Sequence, residues 1–178
     1  WGFDKWFKLF NPRQLLTLIK LVKLIREVGK KDEEEKLKEG WSKEDAVKYA
    51  EAVSAYLAVA LLKHIDYNTL TNLWNPGSWS WNKVAHSLSM RGMAMQWNWC
   101  EIQPTIKLPL TYLGSLKNTM GGLEYLIDAI SSSSNVVKIL LDDAATLSRL
   151  SDEKFDVIVT DPPYADDVAY AELSDFYF

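Results

Sequence analysis

Asp161-Pro162-Pro163-Tyr164, near the end of the chain, joins a carboxylate, two rigid pyrrolidine rings and an aromatic side chain in four residues. An apolar run, Phe155 to Thr160, leads into it. Proline has no backbone N–H, so a sheet ladder cannot continue through this stretch. What remains is a stiff turn presenting Asp161 and Tyr164. Such a turn suits a planar base bearing an exocyclic amine. The lone pair of that amine is delocalised into the ring, so the nitrogen is a poor nucleophile. A carboxylate and a backbone carbonyl that both accept its N–H bonds draw it toward a tetrahedral, reactive shape. Asp161 supplies the carboxylate and Pro162 a rigidly held carbonyl. Pro163 stiffens the turn, and Tyr164 can stack on the base and fix its plane. The base must first leave its duplex. The plainer alternative is a cis-proline turn with a surface tyrosine.

A second acidic pair, Asp142-Asp143, follows another aliphatic run, Val136 to Leu141. In open α/β sheets, ligands bind beyond the carboxyl ends of the strands. Either aspartate can accept hydrogen bonds from a ligand's amino group or hydroxyls. Asp143 can equally N-cap a following helix, and both roles can hold together. His64, His86 and Cys100 are not spaced as metal ligands, so no zinc site is expected. One cysteine excludes an intrachain disulfide framework.

These acids need elements to hold them. The runs 136–141 and 155–160 have the length and composition of strands buried on both faces. The residues between them, 142–154, contain a helix-compatible piece and suit a crossover in an open α/β sheet. Ahead of this lies a mainly helical region. Asn11-Pro12 reads as an N-cap with proline at the first helical position. Leu15, Leu18, Ile19, Val22, Ile25 and Val28 then recur at helical spacing, with Gly29 expected as the C-cap. The charge run Lys30 to Gly40 reads as a solvated helix extension or a linker. Ser42 and Asp45 resemble a capping box opening a second helix to about His64, giving a helical hairpin. A third helix is expected over Ser115–Ile130, weakened by Gly121-Gly122.

Five of the eight tryptophans fall between Leu73 and Pro104, where a short helix is expected around Asn82–Met90. Their rings either fill gaps in a core or offer a surface for stacking bases.

At 178 residues the chain makes one domain or one and a half, and 48% hydrophobic with 25% charged residues is globular composition, which excludes a disordered chain. No apolar run approaches the ~18 residues of a membrane span. The start lacks the charged-then-apolar pattern of a signal peptide. A chain opening on Trp1 reads as a piece of something longer, or as the ordered part of it, and the single cysteine permits the cytoplasm expected for it. Charge is uneven: residues 135–178 hold three Lys/Arg against ten Asp/Glu, a net of −7. No basic stripe runs along the chain, so if it touches DNA the phosphates are neutralised mostly elsewhere.

The stretch Phe155–Tyr164, FDVIVTDPPY, resembles the signature of S-adenosylmethionine-dependent amino-methyltransferases, and LLDDAATL, from Leu140, resembles the acidic strand end that precedes it. The front segment, Trp1 to Glu27, the stretch Trp97 to Pro104 and the tail Asp161 to Phe178 are similar to the large adenine-specific DNA methylases of archaea and bacteria. The resemblance covers most of the chain. It implies a Rossmann-like methyltransferase sheet, present here in part over 135–178 and preceded by the helical, Trp-rich region 1–134. It implies S-adenosylmethionine as cofactor, with Asp142, Asp143 and Asp161 toward it, and Asp161, Pro162, Pro163 and Tyr164 as the catalytic turn. It implies DNA as partner, with a base, adenine in particular, flipped out. That family also has a glycine-rich cofactor loop after its first strand. None of the eight glycines here follows a buried strand in that pattern. The chain alone is therefore expected to be inactive, and to pair with another copy or with a segment that completes its sheet. Two other readings stay open: a non-catalytic nucleic-acid-binding or structural piece of a modification system, and a methyltransferase acting on RNA or protein through a similar turn.

Overall fold

The computed structural model describes residues 4–75, 83–88, 96–131, 137–150, 153–162, 164 and 170–177. After a single 3-10 turn, Trp6–Leu9, come α1 (Pro12–Lys38), α2 (Lys43–Asp66), β1 (Leu73–Asn75), β2 (Lys83–Ala85), α3 (Tyr112–Ser131) and α4 (Tyr170–Tyr177). The described residues are mainly helical, and their one sheet is the antiparallel pair β1–β2, with Trp74 opposite Val84.

α1 begins where its caps require. The Asn11 side chain accepts from the backbone N–H groups of Arg13 and Gln14, both at 2.9 Å, and Gln14 Oε1 accepts from Asn11 N–H at 2.9 Å. Two otherwise orphaned donors of the first turn are thus satisfied. Gly29 does not end the helix. It is buried where α2 crosses, and a Cβ there would lie 2.5 Å from Ser54 Oγ. The helix runs on through the charge run. It stops at Gly40, whose φ of +91° suits glycine. The Trp41 N–H donates to the Lys36 carbonyl and the Gly40 N–H to the Leu37 carbonyl, each at 3.1 Å, which closes a Schellman motif. The ammonium of Lys36 lies over the rings of Trp41 (5.2 Å) and Tyr49 (5.0 Å), holding the turn into α2. Ser42 Oγ then accepts from Asp45 N–H at 3.1 Å to open α2.

The apolar core lies along the hairpin. Leu18 and Ile25 of α1 meet Leu61 of α2, with Phe10, Leu21, Leu57, Ile65 and Tyr112 around them. Beyond it the core turns polar. His64 Nδ1 pairs with the Leu110 carbonyl at 3.2 Å, and His64 Nε2 with Asn68 Nδ2 at 3.4 Å. Asn68 Oδ1 accepts from Gln14 Nε2 (3.2 Å) and Ile102 N–H (3.0 Å), which fixes its amide. Its NH₂ therefore faces Nε2, and His64 is the neutral tautomer with the proton on Nδ1. Asn72 donates to the carbonyls of Tyr67 (2.7 Å) and Cys100 (2.8 Å) and accepts from Cys100 N–H at 2.9 Å. Glu101 binds Arg13 through both oxygens (2.7 and 3.1 Å) and accepts from Asn11 Nδ2 at 2.6 Å. Loop 96–111 is sewn to the hairpin this way.

Burial lowers the pKa of His64 from its ordinary 6.5. A group whose pKa is depressed on folding adds stability above its unfolded value and loses it as pH falls through the folded one. Melting temperature should therefore hold above pH 6.5 and decline below it, and His64→Gln should flatten that decline. Glu101, held below its ordinary 4.5 first by the Arg13 hydrogen bond, acts only at more acidic pH. A melting temperature constant from pH 7 to 5 in the unmutated chain would contradict this.

Three expectations are corrected. The α/β class with part of a Rossmann-like sheet is not what forms: the fold is mainly helical with a two-stranded sheet. Residues 137–141 and 155–160 belong to no ladder, and Ile139 and Leu141 are each 90% exposed and Val159 88%. Apolar runs of this kind become strands only beside other strands with both faces covered, and the described residues supply neither. The segment between them is a set of turns rather than a crossover helix. The short helix expected at Asn82–Met90 is instead strand β2 over Lys83–Ala85, because Trp74 and its neighbours offer an antiparallel edge. The division expected after residue 134 falls outside the described residues.

Candidate functional site

Asp161, Pro162 and Tyr164 stand exposed; Pro163 lies outside the described residues. Prolines at 162 and 163 leave the Tyr164 N–H as the first backbone donor after Asp161. That N–H does not turn back to the Asp161 carboxylate. It donates to the hydroxyl oxygen of Tyr170, at the start of α4, at 3.1 Å. Among the described residues the Asp161 carboxylate has one hydrogen-bond partner, the Tyr164 hydroxyl at 3.5 Å from Oδ1, the outer limit of such a bond. The turn thus carries an acceptor with open capacity beside an aromatic ring, and both are open to solvent.

The acids at 142 and 143 are placed differently. Asp142 Oδ1 accepts from the Asp143 N–H and the Ser148 hydroxyl, each at 2.9 Å, and Oδ2 accepts from the Arg149 N–H at 2.7 Å. The Arg149 amide is the main reason that its carboxyl sits below the ordinary 3.8. Asp143 Oδ1 accepts from Ala145 N–H at 2.9 Å, and its carbonyl from Leu147 N–H at 2.8 Å, closing a loop in which Leu147 takes a φ of +45°. Of the two roles open to Asp143, the local cap is the one formed, on a turn rather than on a helix. No hydrogen bond among the described residues joins this loop to Asp161 or Tyr164. Upstream, Lys138 Nζ pairs with Glu153 at 2.8 Å. With Asp142 engaged by its own loop and residues 157–159 bare, the described residues do not fit S-adenosylmethionine.

The histidines carry a feature that no spacing rule announces. His86, at the end of β2, pairs through Nδ1 with Asp66 Oδ2 and through Nε2 with the Tyr67 hydroxyl, each at 2.6 Å. Asp66, the last residue of α2, also accepts from the N–H groups of Leu88 (2.9 Å, Oδ1) and Ser87 (2.8 Å, backbone carbonyl). Burial, then the charge of Asp66, pushes the Tyr67 phenol up, so it stays protonated at neutral pH and acts as a donor. The chain of carboxylate, imidazole and phenol fastens β2 onto the end of α2. Of the tryptophans in this region, Trp97 is 95% exposed and Trp74 is also exposed, so neither fills the core. Trp79 and Trp81 lie outside the described residues. Among the described residues no three His, Cys, Asp or Glu side chains gather as a metal site.

α4 returns to the front of the chain. Phe176 packs edge-on against Trp6 (5.5 Å) and stacks on Phe10 (6.5 Å). Tyr177 is pushed up to about 12, first by burial and then by Asp66. No helix among the described residues is long and apolar enough to cross a membrane. No protein-family model, no curated protein and no solved structure matches the chain.

Proposed function

We propose that this chain carries the base-binding turn of a DNA amino-methyltransferase, acting on the exocyclic amine of a flipped base, adenine in particular. One observation carries the reading. Asp161 and Tyr164 stand together, with the Tyr164 hydroxyl 3.5 Å from Asp161 Oδ1 and both residues exposed. Asp161 and the Pro162 carbonyl accept the two amine N–H bonds, and Tyr164 covers the ring. S-adenosylmethionine is the methyl donor that the resemblance implies. Because the described residues do not fit it, the reading stands on the base side alone.

A single-stranded oligonucleotide carrying 2-aminopurine tests the base side on the 178-residue chain. Stacking is worth roughly 1–3 kcal/mol per base. Tyr164→Phe should keep the affinity and fluorescence quench, and Tyr164→Ala should weaken binding by about tenfold or more. Equal losses in the two variants would assign the role to the hydroxyl instead.

The bare stretches at 137–141 and 157–159 need cover from a second copy or from a partner segment. Apolar extended backbone left open is a template for pairing. Light scattering on the purified chain should report assemblies larger than a monomer, and calorimetry should detect no S-adenosylmethionine binding in the low micromolar range. A monomer that binds the cofactor tightly would overturn this.

A further inference from the structure

We infer that Tyr170 is a positioning residue that keeps the Asp161 carboxylate open for a ligand by holding the Tyr164 backbone N–H away from it. In a sequence Asp-Pro-Pro-Tyr, the N–H three residues after the aspartate is the natural local partner of its carboxylate, as in an Asx-type turn or a helix cap. The prolines offer no competing donor. In this chain that N–H donates to the Tyr170 hydroxyl oxygen at 3.1 Å.

The grip on Tyr170 is transmitted by α4. Tyr170 and Tyr177 stand two turns apart, on one face of the helix. Next to Tyr177, Phe176 anchors the helix against Trp6 and Phe10. The turn bearing Trp6 is itself fixed, because the buried Leu9 accepts from the Leu70 N–H through its carbonyl at 2.8 Å. Leu70 lies between Asn68 and Asn72 of the polar core. The helical region is thus the frame on which the signature turn is set, although among the described residues no sheet joins the two. That Asp161 serves a base rests on the function proposed above; that Tyr170 holds the turn does not.

Deuterium exchange at the Tyr164 amide, resolved by fragmentation mass spectrometry, tests the hold on the 178-residue chain. Tyr170→Phe removes only the accepting oxygen. It should speed exchange at Tyr164 by about fivefold or more while leaving amides of α1 and α2 unchanged. Phe176→Ala should do the same from a distance. Unchanged exchange at Tyr164 in Tyr170→Phe would overturn the inference. In the same preparations, Tyr170→Phe should weaken binding of the 2-aminopurine oligonucleotide while Tyr164→Phe does not. Faster exchange with unaltered binding would overturn the role toward Asp161. An oligonucleotide that fails to bind even the unmutated chain would sink the base-binding reading, and the exchange result would then decide the hold by itself.

Discussion

Asp161→Ala, made in the protein expressed from its own gene, should cut methyl transfer to adenine-bearing DNA by on the order of 10²–10³-fold, the usual loss when one preorganised partner of a developing charge is removed. That corresponds to about 3–4 kcal/mol. The carboxylate has open acceptor capacity, with a single partner at 3.5 Å among the described residues. Its loss should therefore disturb the fold little. Helix content and melting temperature should match the unmutated protein, which separates a chemical defect from a folding one. On the proposed function the side chain accepts from the amine and meets charge only as the nitrogen becomes tetrahedral, so the loss should fall on turnover more than on DNA affinity. Steady-state kinetics on a single-stranded substrate measure both. Turnover within tenfold of the unmutated protein would remove Asp161 from the reaction.

Gly114→Ala should be the most damaging small substitution for the fold. Thr111 caps α3: its Oγ1 accepts from the Gly114 N–H at 3.1 Å and its carbonyl from the Ser115 N–H at 2.8 Å. The turn before the helix folds so tightly over this cap that a Cβ on Gly114 would lie 1.7 Å from the Leu108 carbonyl oxygen and 2.5 Å from its carbon. These are backbone atoms and cannot rotate away. Either the cap or the turn must open, at about 3 kcal/mol or more. A chain of this length should then melt roughly 6–12 °C lower. The same change at Gly121, two turns further along α3, meets nothing within 4 Å. There only helix propensity acts, and alanine should stabilise by about 1 kcal/mol. Opposite signs for one substitution at two glycines of one helix are measurable by circular dichroism. A neutral Gly114→Ala would mean that the turn at 108–109 sits further from α3 than described.

The parts of this fold that were legible in the sequence are those with a local cause. Asn11-Pro12 and Ser42 announce their helices because a cap is a short-range hydrogen bond, and the residues of α3 are periodic enough to be seen despite Gly121-Gly122. Gly29 was misread as a stop because its glycine answers to Ser54, a residue of another helix. Gln14, His64, Asn68, Thr69 and Asn72 carry polar side chains, yet they are buried. Their burial depends on partners 18 to 54 positions away, which no periodicity encodes. The runs at 136–141 and 155–160 have strand composition, but a strand is defined by its neighbours, and these have none among the described residues. At the candidate site, the residue types of Asp161 and Tyr164 are plain from four letters. The fate of the Tyr164 N–H is not, since Tyr170 reaches it through the docking of α4. Nor do the letters show that Asp142 accepts hydrogen bonds within the loop it begins.

The most direct measurement is the position of the transferred methyl group. The protein expressed from its own gene is incubated with methyl-tritiated S-adenosylmethionine and single-stranded DNA, and the digested nucleosides are separated and identified by mass spectrometry. The predicted result is label on the exocyclic N6 of adenine, absent in Asp161→Ala and retained in Tyr164→Phe. Label on RNA or protein but not on DNA, or label on DNA that persists in Asp161→Ala, would contradict the assignment of this turn.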